Sequence, residues 1–139
     1  LFADMGGAIM ASEAILKATI SQRATGKGSF HEVALSEAAA WLALPRHWGM
    51  TLPNGPVGGA HAGYKVYACK NGRVAVAALE SHFAKSLCDA AGLKSSDAKT
   101  MFNPETHQAI ALFFASKTRQ QLEKLATDKD IPLMTLVKA

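Results

Sequence analysis

Prolines at 45, 53 and 56 and glycines at 49, 55, 58, 59 and 63 crowd one stretch of this 139-residue chain. Proline has no backbone donor and a fixed φ, and glycine weakens any regular element it interrupts. No long helix or central strand can cross such a stretch, so the sequence is read in two parts joined by residues 46–63. Residues 1–45 are expected to be an end piece of a larger α/β domain, built helix, strand, helix. Residues 64–139 are expected to form a small α+β domain with a β-hairpin and helices.

Local patterns fill in both parts. From Met5 to about Gln22, Ala8, Ile15 and Thr19 fall on one side of a 3.6-residue period, with Ile9, Leu16 and Ile20 beside them. This predicts a helix with a broad apolar face, stopped at Thr25-Gly26-Lys27-Gly28. Phe30 to Leu35 alternates as a strand would. Ser36 is placed to cap a short helix through Trp41 and Leu44, ended by Pro45. Past the connection, Tyr64–Cys69 and Arg73–Ala77 flank Asn71-Gly72, a pair that supplies the positive φ angles of tight hairpins. Helices follow from about Glu80 to Gly92, from Asn103-Pro104 onward, and around Leu122 and Leu125. Leu133–Val137 reads as a last strand.

Composition removes several function classes. Hydrophobic residues make up 49% and charged residues 19%, enough apolar material for a core and too little charge for disorder. The net charge of +4 comes from fifteen Lys and Arg scattered along the chain rather than clustered as a nucleic-acid surface requires. No apolar run approaches the ~18 residues of a membrane span, and no signal peptide is evident. Cys69 and Cys88 form no CxxC, and no histidine pair has zinc-finger spacing, so neither a metal nor a disulfide framework is expected. These readings give a cytoplasmic protein without nucleic-acid or membrane partners. The chain opens on Leu1 and runs straight into a helical pattern, so residues upstream are expected.

Few residues stand out chemically. Gly26-Lys27-Gly28 lacks the Ser or Thr that a Walker A loop carries after its lysine, and His31 occupies the third glycine place of a dinucleotide fingerprint. None of the five histidines sits in a nucleophile or metalloprotease motif. Asp4, followed by Gly6 and Gly7, is more informative. A helix start offers free N–H groups and a positive dipole end, and glycines let a ligand come close to the backbone. Aspartate is equally a common helix cap. Glu80 stands where an apolar strand hands over to a helix, which suits chemistry or merely the helix dipole. The residues alone leave both alternatives open.

Taken in order, several segments resemble family III CoA-transferases, the CaiB/BaiF family, which includes α-methylacyl-CoA racemases. Ala3-Asp4-Met5-Gly6-Gly7 is similar to the family's aspartate and glycine-bearing helix start. Arg23-Ala24-Thr25-Gly26-Lys27-Gly28, then Glu32-Val33-Ala34-Leu35, is similar to its R-x-T-G-x-G and V-D-V-S-L stretch. Gly63-Tyr64-Lys65-Val66-Tyr67 with Asn71-Gly72-Arg73 resembles its hairpin. Val76–Phe83 resembles V-G-A-x-E-P-x-F, with Ala77 for the glycine and Ser81 for the proline. Ile131-Pro132-Leu133 with Leu136-Val137 resembles its closing strand.

The resemblance implies an acyl-CoA thioester as substrate, coenzyme A as its carrier, no metal, and a homodimer of interlinked subunits. It implies a catalytic Asp4, either as the nucleophile that becomes an aspartyl thioester or as one of two bases flanking an α-carbon, opposite an upstream histidine. Glu80 would support that histidine, and Tyr64 would line the site beside Gly6 and Gly7. Transfer of CoA between carboxylic acids and racemisation of a 2-methylacyl-CoA are both consistent with these residues, as is a fragment that does not catalyse by itself.

Overall fold

The computed structural model describes residues 1–94, 97 and 99–136, which fall into two compact units, Leu1–Trp48 and Gly49–Ala139.

The first unit is helical. Helix α1 spans Phe2–Thr25, α2 Leu35–Leu42 and α3 Leu44–His47. Alanine, the best helix former, occurs six times in α1. It stops at Gly26, whose left-handed φ of 71° lets its N–H reach the Gln22 carbonyl at 2.8 Å. The apolar face expected along α1 is largely uncovered: Ile9, Leu16 and Ile20 are each about two-thirds exposed, and only Gly6 and Gly7 are buried. Helix α1 packs against α2, most closely at these two glycines.

Three expectations fail in this unit. The strand over Phe30–Leu35 is absent. A strand is held by a neighbour's ladder, and among the described residues none pairs with this segment. The chain instead runs as an irregular link to an extended Ala34 (φ −88°, ψ 127°) and turns into α2 at Leu35. Ser36 therefore lies inside the first turn, and Ala34 holds the cap position. Pro45 does not end the helix but sits in the first turn of α3, where a missing N–H costs nothing.

The second unit is a three-stranded antiparallel sheet with helices, an α+β arrangement as expected for residues 64–139. Strands β1 (Tyr64–Cys69), β2 (Gly72–Ala77) and β3 (Leu133–Leu136) lie in the order β1-β2-β3. Helices α4 (Ser81–Ala90), α5 (Pro104–Ala115) and α6 (Arg119–Lys129) complete it. Alternation along the strands sends Tyr67, Val74 and Val76 into a core with Leu87, Met101, Ile110, Phe114 and Leu122. Each such large side chain, fully removed from water, contributes about 1.5–3 kcal/mol. Asn103 stands at the cap of α5 with Pro104 in its first turn, as the sequence indicated. Val137, read as the end of the last strand, lies outside the described residues.

The hairpin forms where expected but turns differently. Cys69 pairs with Gly72, leaving Lys70 and Asn71 as the loop, and neither Asn71 nor Gly72 adopts positive φ. Gly72 is needed for another reason: a Cβ there would overlap the Leu136 carbonyl oxygen on β3.

Candidate functional site

Asp4 lies in the first turn of α1, three residues past its cap position Leu1. Its carboxylate is about two-thirds exposed. The place is electrostatically apt, since the positive end of a helix dipole favours an anion in the first turn.

Gly6 and Gly7 are the buried residues of α1. Their missing side chains serve helix packing. A Cβ on Gly6 would press on Leu42 Cδ1 at 3.0 Å and Ala38 Cβ at 3.2 Å, and one on Gly7 would overlap Leu35 Cδ2. Gly6 also borders a groove of about 350 Å³ with Ile9, Met10, Glu13 and Trp41. Asp4 is not among that groove's lining residues.

Within the second unit the hairpin brings Tyr64 and the approach to Glu80 to one end of the sheet. Tyr64 pairs with Ala77, and the Ala78 N–H donates to the Gly63 carbonyl at 2.7 Å, carrying the ladder one bond further. Two residues later Glu80 takes the cap position of α4, extended at φ −67° and ψ 144°, with its carbonyl accepting from the Ala84 N–H at 2.9 Å. Its side chain makes no capping hydrogen bond and is exposed.

Tyr64 borders an open trough of about 830 Å³ on the sheet face away from the core. Val57, Val66, Ala75, Ala77 and Met134 give it an apolar floor, and Lys65 stands at its edge. Glu80 does not line it. Tyr64 is 37% exposed, which leaves its ring reachable from solvent.

The turn that leads into Tyr64 carries no catalytic or metal-binding motif. His61 is buried and its ring meets Phe102 edge-on, centroids 5.4 Å apart. Its Nδ1 accepts the Gly63 N–H at 3.0 Å. Burial, and to a smaller extent the neighbouring His107, push its pKa below the ordinary 6.5. Tyr67, also buried, donates its hydroxyl to the Ala62 carbonyl at 2.7 Å, and burial pushes its pKa up to about 12. A histidine two residues before a glycine is a signal that could have located this turn, because such a ring can reach the glycine's N–H as an Asx side chain does.

Among the described residues no group of three or more His, Cys, Asp or Glu side chains is placed to hold a metal, and no helix is long and apolar enough to cross a membrane.

The family model of CoA-transferase family III matches residues 1–139, the whole chain. No curated protein sequence matches it. Two solved structures of the hypothetical protein Rv3272 from Mycobacterium tuberculosis are similar in fold. One has a TM-score of 0.70 at 14% identity, covering 93% of this chain and 37% of that one. The other, an orthorhombic form, has a TM-score of 0.64 at 17% identity, covering 88% and 35%. The chain thus spans little more than a third of the length of these structures.

Proposed function

The chain belongs to CoA-transferase family III, and on that premise we propose that it is part of an acyl-CoA enzyme whose reaction centres on Asp4. The observation that carries this reading is the family match over the full chain together with an exposed carboxylate in the first turn of a glycine-bearing helix.

In the transfer reaction, the Asp4 carboxylate adds to the thioester carbonyl and the CoA thiolate leaves, forming a mixed anhydride. The thiolate then attacks the aspartyl carbonyl. This releases the first carboxylate and leaves an aspartyl-CoA thioester. An acceptor carboxylate repeats the sequence in reverse, and Asp4 is regenerated. Negative charge grows on the thioester oxygen, so donors near that oxygen would lower the barrier. Tyr64, with an accessible ring at the edge of an apolar trough, is suited to line an acyl-CoA site, and in the racemisation reading Glu80 would support the upstream histidine.

Asp4→Asn in the full-length gene product is expected to abolish turnover, and full activity in that variant would end the proposal. A second reading, racemisation of a 2-methylacyl-CoA, is favoured by Leu79-Glu80 followed by Phe83. Incubation of a 2-methylacyl-CoA in heavy water without acceptor separates the two. Deuterium at the α-carbon marks racemisation, and a hydroxylamine-sensitive aspartyl adduct marks transfer.

We also propose a homodimer in the cytoplasm, and no turnover by the 139 residues alone. Gel filtration of the full-length product tests the dimer, and a turnover assay of this chain tests the last point. We place most of the CoA-binding surface in the rest of the gene product, and tight CoA binding by the isolated chain would contradict this.

A further inference from the structure

The four residues before β1 are held by a dense set of bonds. The Ala60 carbonyl meets His107 Nε2 at 2.8 Å, and the Ala62 N–H donates to the Met101 carbonyl at 2.8 Å. The Ala62 carbonyl accepts from Tyr67, and the Gly63 carbonyl from the Ala78 N–H. His61 closes the turn twice: its carbonyl accepts the Tyr64 N–H at 2.9 Å, and its Nδ1 accepts the Gly63 N–H at 3.0 Å.

Only an unprotonated Nδ1 can accept. We propose that His61 is a pH-sensitive latch on the turn His61–Tyr64, closed while its ring is neutral and released when Nδ1 takes a proton.

The geometry fixes both states. With Nδ1 accepting, the neutral ring carries its proton on Nε2. A proton on Nδ1 would face the Gly63 N–H at 3.0 Å, donor against donor, inside a buried turn. The ring then has to leave, and with it goes the side-chain half of the turn. The titratable side chains tied to this turn are His107 from α5 and Tyr67 from β1. A charge on His107 repels one on His61, and Tyr67 stays neutral throughout the acid range. The segment Thr100–Phe102 contributes the Phe102 ring and the Met101 carbonyl, neither of which titrates. The lowered pKa of His61 agrees with this arrangement. Release would loosen the first residue of β1, Tyr64. The latch is a property of the fold and stands whether or not Tyr64 lines an acyl-CoA site.

The sign follows from linkage. The open turn binds a proton near pH 6.5 and the closed turn only at lower pH, so acidification below 6.5 favours opening until the closed turn titrates as well. Hydrogen exchange of the Gly63 amide, corrected for intrinsic rates, should show opening that grows up to tenfold per pH unit across that window. The buried Leu122 amide on α6 should keep its protection. Nitrogen NMR of the His61 ring in the same samples should find Nδ1 unprotonated at neutral pH. His61→Asn, which keeps an acceptor two residues before the glycine amide but cannot titrate there, should make Gly63 exchange independent of pH. A His61 ring that titrates at or above 6.5, or Gly63 opening that ignores pH in the parent chain, overturns the latch. So does an Asn variant with unchanged pH dependence. Should that variant not fold, the titration of the parent chain decides alone.

Discussion

Asn71 Oδ1 accepts the Arg119 N–H at 2.8 Å, joining the hairpin loop to the first residue of α6 across 48 positions of sequence. The Arg119 N–H has no partner within its own helix, so the hairpin caps a helix it does not belong to. Thr118 and Gln121 complete the end with a reciprocal capping box. Asn71→Ala should therefore cost about 1 kcal/mol, whereas Asn71→Asp, which keeps the acceptor, should cost a few tenths. Urea unfolding of the three proteins measures the difference, and equal losses in both variants would assign the effect to the loop rather than the cap.

Tyr67 gives a second prediction. Tyr67→Phe leaves the Ala62 carbonyl without its partner in a buried site and should destabilise by about 1–2 kcal/mol. The parent should also lose stability in alkali. The unfolded tyrosine releases its proton near pH 10, and the folded one holds it to about 12. Stability then falls as pH rises through that window, by at most about 1.4 kcal/mol per unit. The Phe variant should lack this component of the slope.

Gly63→Ala should be more damaging than its exposure to a single methyl suggests. The Cβ would overlap the Ala78 carbonyl oxygen, which is backbone and cannot swing away. A loss of about 2–3 kcal/mol is expected, read from the shift in thermal midpoint. By contrast Gly28→Ala, with open space around it, should cost little.

The two thiols should differ in reactivity. Cys88 is fully buried, its S–H points at Met101 Sδ 3.6 Å away, and burial raises its pKa above the ordinary thiol value. Cys69 is partly exposed. Alkylation of the folded chain should modify Cys69 readily and Cys88 only after denaturant is added. Equal rates at the two sites would mean that α4 opens far more often than its packing indicates.

The elements that could be read directly are those whose reasons are local. The Asn103-Pro104 helix start, the hairpin over Tyr64–Ala77 and the family segments around Asp4 and Glu80 each depend on a few neighbouring residues. Chain alternation alone puts Tyr67 and Val74 on one face and Val66 and Ala75 on the other.

Tertiary structure decided what depends on partners distant in sequence. Whether Phe30–Ala34 became a strand turned on a neighbouring ladder, and no described residue supplies one. Gly6 and Gly7 could equally admit a ligand or a helix; Ala38, Leu42 and Leu35 fill the space beside them. Asn71 and Gly72 carry a turn signature, yet one is held by Arg119 and the other by the passage of Leu136. Nothing in the sequence set His61 apart from the other four histidines; the turn folds it against Gly63, Phe102 and a second histidine. A residue's type limits the contacts it can make, but only packing brings the distant partner within the 3 Å at which one of those contacts forms.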